Sequence, residues 1–112
     1  MKKIILLFIF SFSISMYGQS DKIIIENNSQ QIKLKVNGKD FIINGMNWDY
    51  FPIGTNYNYS LWKQSDDVIK AALDNEMPML KNMGVNTIRQ YTGVPAKWIK
   101  YIYENYGIYT IL

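Results

Sequence analysis

The sequence predicts an α/β chain built on a parallel sheet, and three observations predict it. Apolar, β-branched runs at Phe41-Ile42-Ile43, Val85-Asn86-Thr87-Ile88 and Gly107 to Leu112 are separated by two stretches whose apolar residues recur every three or four positions. A glycine stands where each helical stretch must stop, at Gly84 and Gly107. The order strand, helix, strand, helix, strand then demands crossover connections, and crossovers join parallel strands.

Taken in order, Lys2 and Lys3 precede an apolar stretch from Ile4 to Phe12, with Gly18 as a small residue before Gln19. That pattern predicts a signal peptide over residues 1–18 and a secreted or periplasmic mature chain beginning near Gln19. The other reading is an uncleaved anchor, although the apolar run falls short of the ~20 residues that span a bilayer. Residues 19–31 form an N-terminal segment with a short strand at Ile23-Ile24-Ile25 and a turn at Asn27-Asn28-Ser29. Ile32, Leu34 and Val36 alternate with Lys33 and Lys35, and Asn37-Gly38 is a type I′ signal, so a hairpin is expected to run into the first parallel strand.

From Trp48 to Lys63 no period appears, and a long aromatic loop with Pro52 and Gly54 is expected there. Ser65 is placed to cap a helix whose first turn holds Asp66 and Asp67. Ile69, Ala72, Leu73, Met77, Leu80 and Met83 give it an apolar stripe, but Pro78 lacks an amide hydrogen. A kink, or a restart near Asp74 or Asn75, is therefore expected. Pro95 begins the next helix, with Trp98, Ile99, Ile102, Tyr103 and Tyr106 as its stripe.

Composition removes whole chemistries. With no His and no Cys, the 112 residues hold no Ser-His-Asp triad, thiol nucleophile, Cys/His zinc site or disulfide. The formal charge of +3 falls to +1 once Lys2 and Lys3 are removed with the leader, so no nucleic-acid partner is indicated. No cofactor motif, metal-ligand spacing or Gly-rich phosphate loop occurs. An aromatic share of 15% suits stacking on sugar rings, and suits an ordinary core equally well.

Gly84 to Tyr91 is the most informative segment. It sets the guanidinium of Arg89 in a run that reads as a buried strand, and a buried cation requires an anion or a set of acceptors. The charge falls at the strand's C-terminal end, just before Thr92-Gly93-Val94-Pro95, where α/β proteins build their sites.

Val85-Asn86-Thr87-Ile88-Arg89 with Tyr91 resembles the second strand of the catalytic (β/α)8 barrel of retaining glycoside hydrolases, family 2 first and the β-glucanosyltransferases of family 72 second. Val36 to Asn47 resembles the hairpin and first strand of those enzymes, and Gly107 to Leu112 their third strand. Against family 2 stands the missing His after strand two; against family 72, the missing cysteines. The resemblance implies an N-terminal β-hairpin followed by the first βα units of a truncated (β/α)8 TIM barrel over residues 32–112, with the rest of the same barrel as partner. A whole barrel takes about 250 residues, so the sequence reads as the N-terminal part of a longer protein.

The implied activity is retaining hydrolysis of O-glycosidic bonds in an oligo- or polysaccharide, with no membrane partner after signal cleavage. The implied catalytic carboxylates end strands four and seven, so none is expected in this chain. Arg89 would hold the nucleophilic carboxylate ionised and oriented; its other reading is a structural ion pair. Asn47, Trp48, Asp49 and Tyr91 are the candidate substrate-binding residues. Asp49 is also a candidate for organising its own loop, and Asn86 is expected to be a satisfied amide. Trp48, Tyr50, Tyr57, Tyr59 and Trp62 form either a stacking platform or an aromatic loop folded over the site. A non-catalytic carbohydrate-binding or surface-adhesion module is the alternative function.

Overall fold

The computed structural model describes residues 20–112, so the expected signal peptide lies outside the described residues. Two compact units divide between Phe41 and Ile42. The first is a three-stranded antiparallel sheet of β1 (Ile23–Asn27), β2 (Ile32–Val36) and β3 (Lys39–Asp40). Asn37 and Gly38 both take positive φ, 51° and 79°, which is the type I′ turn that the Asn-Gly pair predicts. Ile23 lies opposite Val36, and Ile25 opposite Leu34. Alternation therefore collects these aliphatic side chains on one face. The other face holds Glu26, Lys33, Lys35 and Asp40, with Lys35 to Glu26 at 2.5 Å and Lys33 to Asp40 at 2.8 Å.

The second unit holds β4 (Gly45–Asn47), α1 (Asp66–Asn82), β5 (Thr87–Arg89), α2 (Ala96–Tyr106) and β6 (Tyr109–Ile111). Its strands pair in parallel in the order β4-β5-β6, so the expected α/β class and crossover order are observed. The truncated TIM barrel is not. The hairpin does not run on into β4 but belongs to a separate antiparallel sheet, and the parallel strands make an open three-stranded layer with two helices. Asn86 supplies the physical reason for the break. Its Nδ2 donates to the Ile42 carbonyl at 2.8 Å, and its Oδ1 accepts from the Asn44 amide at 2.9 Å. Asn86 N also donates to the Asn44 carbonyl. Backbone groups that would have continued the antiparallel ladder are thereby bound to the chain leading into β5.

The core lies between the helices and one face of the parallel sheet. Ile88 at the centre of β5 is fully buried, in one cluster with Leu73 and Met77 of α1 and Trp98 and Ile102 of α2. The helix break expected at Pro78 does not occur, since α1 runs through it. A proline inside a helix costs about 3 kcal/mol. Against that, Ile69, Ala72, Leu73, Met77 and Leu80 are all buried, and each large apolar side chain contributes about 1.5–3 kcal/mol by leaving water. Keeping the stripe in one line outweighs the lost hydrogen bond, and the ring of Pro78 sits on the exposed side. Ser65 occupies the expected cap position, but its carbonyl, not its hydroxyl, accepts from Ile69 N at 3.0 Å. Gly107 ends α2 with φ 67°, a left-handed geometry that favours glycine.

Asp74 joins the two helices. Its carboxylate accepts from the hydroxyls of Tyr101 and Tyr106 at 2.5 Å each and pairs with Lys70 at 2.5 Å. Lys70, followed by the two phenols, lowers its pKa to about 2. The sign is that of a depressed acid: the stabilisation is complete above the ordinary carboxyl pKa near 4 and is lost as pH falls toward about 2. Asp74→Asn is expected to lower the unfolding midpoint at pH 7, with the gap to wild type closing between about pH 4 and pH 2. A pH-independent gap in thermal unfolding would contradict this role.

Candidate functional site

The register of the parallel sheet sets three rows: Gly45 with Thr87 and Tyr109, Met46 with Ile88 and Thr110, and Asn47 with Arg89 and Ile111. Successive side chains alternate, so Ile88 turns toward the helices while Thr87 and Arg89 turn to the opposite face. That opposite face holds a cavity of about 360 Å³. Ile43 and Ile111 supply apolar lining, and Asn47, Thr87 and Arg89 supply polar groups. Gly45 gives the cavity its depth at this level. A methyl group there would stand 3.0 Å from Ile43 Cγ2 and 3.2 Å from the Thr87 carbonyl oxygen.

Two of the five expected site residues line this cavity. Asn47 and Arg89 stand side by side at the C-terminal ends of β4 and β5. Arg89 is exposed, contrary to the buried charge that the β-branched run suggested. Burial on the face away from Ile88 ends within the strand: Thr87 is buried, and Arg89, the last residue of β5, is exposed. Tyr91 is two residues on, with its ring centroid 4.6 Å from the guanidinium carbon and its hydroxyl 3.4 Å from Nη1. It packs beside Arg89 and does not line the cavity.

Trp48 is a correction. It is 7% exposed and part of the core, with its ring edge-on to Trp62 at 6.3 Å, so it offers no face to a sugar. Asp49 accepts from the amide of Tyr50 at 2.9 Å, the loop-organising geometry. The aromatic platform is not flat either. Tyr50 and Tyr59 meet at 55° and, with Trp62, pack partly against the core, leaving Tyr57 alone fully exposed.

Gln90 was missed. It is 3% exposed, and its Nε2 donates to the carbonyl of Trp48 while its backbone amide donates to Ile111 O at 3.0 Å. One residue thus ties the ends of all three strands, directly behind the row of Asn47 and Arg89. The signal was present: Gln90 follows Ile88 by two positions, on the buried face, where an amide must find an acceptor.

Among the described residues no carboxylate lies within ion-pairing distance of Arg89, and none lines the cavity. Asp66 pairs with Lys97 at 2.6 Å, and Glu104 with Lys100 at 3.7 Å. No three His, Cys, Asp or Glu side chains gather to hold a metal ion, and no helix is long and apolar enough to cross a membrane, among those residues. Comparison with protein-family models, curated proteins and solved structures yields no match. The fold and site thus define an α/β unit with an open sheet face carrying one amide and one cation.

Gln90→Ala is expected to destabilise the chain by about 1–3 kcal/mol in urea unfolding, because the Trp48 carbonyl loses its buried donor. An unchanged midpoint would remove Gln90 as the tie. Gly45→Ala is expected to cost about 1–3 kcal/mol through overpacking against the Thr87 carbonyl, checked in the same titration. Wild-type stability there would show that the strands yield freely.

Proposed function

We propose that the chain takes part in hydrolysis of O-glycosidic bonds in an oligo- or polysaccharide, as the part that holds the sugar. The observation that carries this is the pairing of Asn47 and Arg89 on one row, at the C-terminal ends of adjacent parallel strands, opening on the 360 Å³ cavity. Small-molecule sites are concave, mostly apolar and supplied with a few convergent polar groups, in a range of roughly 300–1,000 Å³. Ile43 and Ile111 offer an apolar wall to a ring, Asn47 offers a donor and an acceptor to its hydroxyls, and Arg89 offers a positive charge to an anionic group at the reacting end. The resemblance of residues 85–91 to a glycosidase strand assigns that anion to a nucleophilic carboxylate.

A retaining mechanism needs two carboxyl groups about 5 Å apart, one as acid and base and one as nucleophile. This proposal therefore requires both from outside the described residues. The lack of an acid in the cavity equally favours a second reading, a carbohydrate-binding module without catalysis. An assay of the protein as encoded against a panel of aryl glycosides separates the two. Release of aglycone is expected, with Arg89→Ala lowering kcat/KM about a hundredfold or more by misplacing the reacting groups. Sugar binding without any turnover would establish the second reading, and turnover untouched by Arg89→Ala would remove Arg89 from the site.

A further inference from the structure

The cations of the second unit differ in how their charge is met. Lys70, Lys97 and Lys100 each face a carboxylate, at 2.5, 2.6 and 3.7 Å, whereas Lys63, Lys81 and Arg89 face none among the described residues. Arg89 is the cation that lines the cavity, and it faces none among the described residues. Its neighbour Tyr91 is a neutral phenol. The ring approaches the guanidinium carbon at 4.6 Å, which steadies the side chain without neutralising it. Guanidinium N–H groups form a planar fork whose shape matches a carboxylate.

The rest of the cavity limits what that carboxylate can belong to. Ile111 stands in the row next to Arg89 and Ile43 lines the cavity with it, and Asn47 stands on the other side of Arg89 with an amide that both donates and accepts. An inorganic anion would use the charge and leave the apolar wall wet. A neutral sugar would use the wall and the amide and leave the charge unmet. A ligand with a flat apolar ring face, hydroxyls and one carboxylate uses all three.

We infer that the cavity on the open face of the parallel sheet takes an acidic sugar of the uronate class, its carboxylate on Arg89, its ring against Ile43 and Ile111, and its hydroxyls on Asn47. This rests on the carbohydrate reading above and deepens it, moving the anion from a catalytic group to the ligand itself. Because Arg89 is exposed, the ion pair is screened by salt and adds selectivity more than affinity.

The test is an NMR titration of the protein as encoded with methyl glucuronide, methyl glucoside and acetate, following the amides of residues 43–47, 87–91 and 111. Methyl glucuronide is expected to bind at least about fivefold more tightly than the glucoside, with the advantage lost in Arg89→Gln and in 1 M salt, and partly kept in Arg89→Lys. Equal affinity for glucuronide and glucoside overturns the inference while leaving the carbohydrate reading intact. Acetate binding as tightly as the glucuronide overturns it as well, since the ring then contributes nothing. If neither sugar moves these amides while acetate does, the carbohydrate reading falls with it.

Discussion

Two side-chain amides hold β5, and the candidate site depends on them. The strand is three residues long, too short for its own ladder to fix it firmly. Asn86 grips the approach to β4 through Ile42 and Asn44 at one end, and Gln90 grips the carbonyl of Trp48 at the other. A buried amide left without partners costs about 1–3 kcal/mol, so Gln90 is satisfied in one register and penalised in any other, while half-buried Asn86 adds its bonds to the same register. Asn47 faces Arg89 because that register holds.

The same alternation that buries Ile88 and Gln90 sends Thr87, Arg89 and Tyr91 the other way. Parallel sheets ordinarily carry cover on both faces. Here the helices cover one, and the other exposes Ile43 and Ile111 beside a hydrated guanidinium. Hydration explains why Arg89 is tolerated with no anion in reach, since a cation removed from water at that place would need one. Tyr91 then orders the side chain, its ring against the guanidinium carbon and its hydroxyl accepting from Nη1.

Much of this architecture is legible in the sequence because it is local. The positive-φ turn at Asn37-Gly38, the stop at Gly107 and the helical stripes follow from backbone sterics and a period of 3.6. The parts that were not legible depend on distant partners. Pro78 reads as a break until the burial of Met77 and Leu80 on either side of it is weighed against it. Asp74 reads as the start of a second helix until Tyr101 and Tyr106 arrive from 27 and 32 residues away. The barrel expectation failed for a similar reason: a hairpin followed by a strand is one pattern in sequence, and whether they join in one sheet turns on which partner takes the backbone groups of Ile42 and Asn44. Arg89 reads as buried because a β-branched run announces a strand without saying where along it the burial ends, and Thr87 on the same face is still dry. Counting by twos from Ile88 places Gln90 on the buried face.

The acids of the chain bear on what this face can do. A general acid at neutral pH needs a carboxyl whose pKa is raised by burial or by a like charge. The acid most strongly perturbed here, Asp74, moves the opposite way, held near 2 by Lys70 and two phenols at the junction of the helices. Asp66 and Glu104 are occupied by lysines, and Asp49 by the next backbone amide. These carboxylates brace helices and a loop, none of them reaching the cavity. The described residues therefore offer a ligand an apolar wall, an amide and an uncompensated cation. Those groups discriminate by shape and charge; moving a proton would require carboxyl groups that this face of the sheet does not carry.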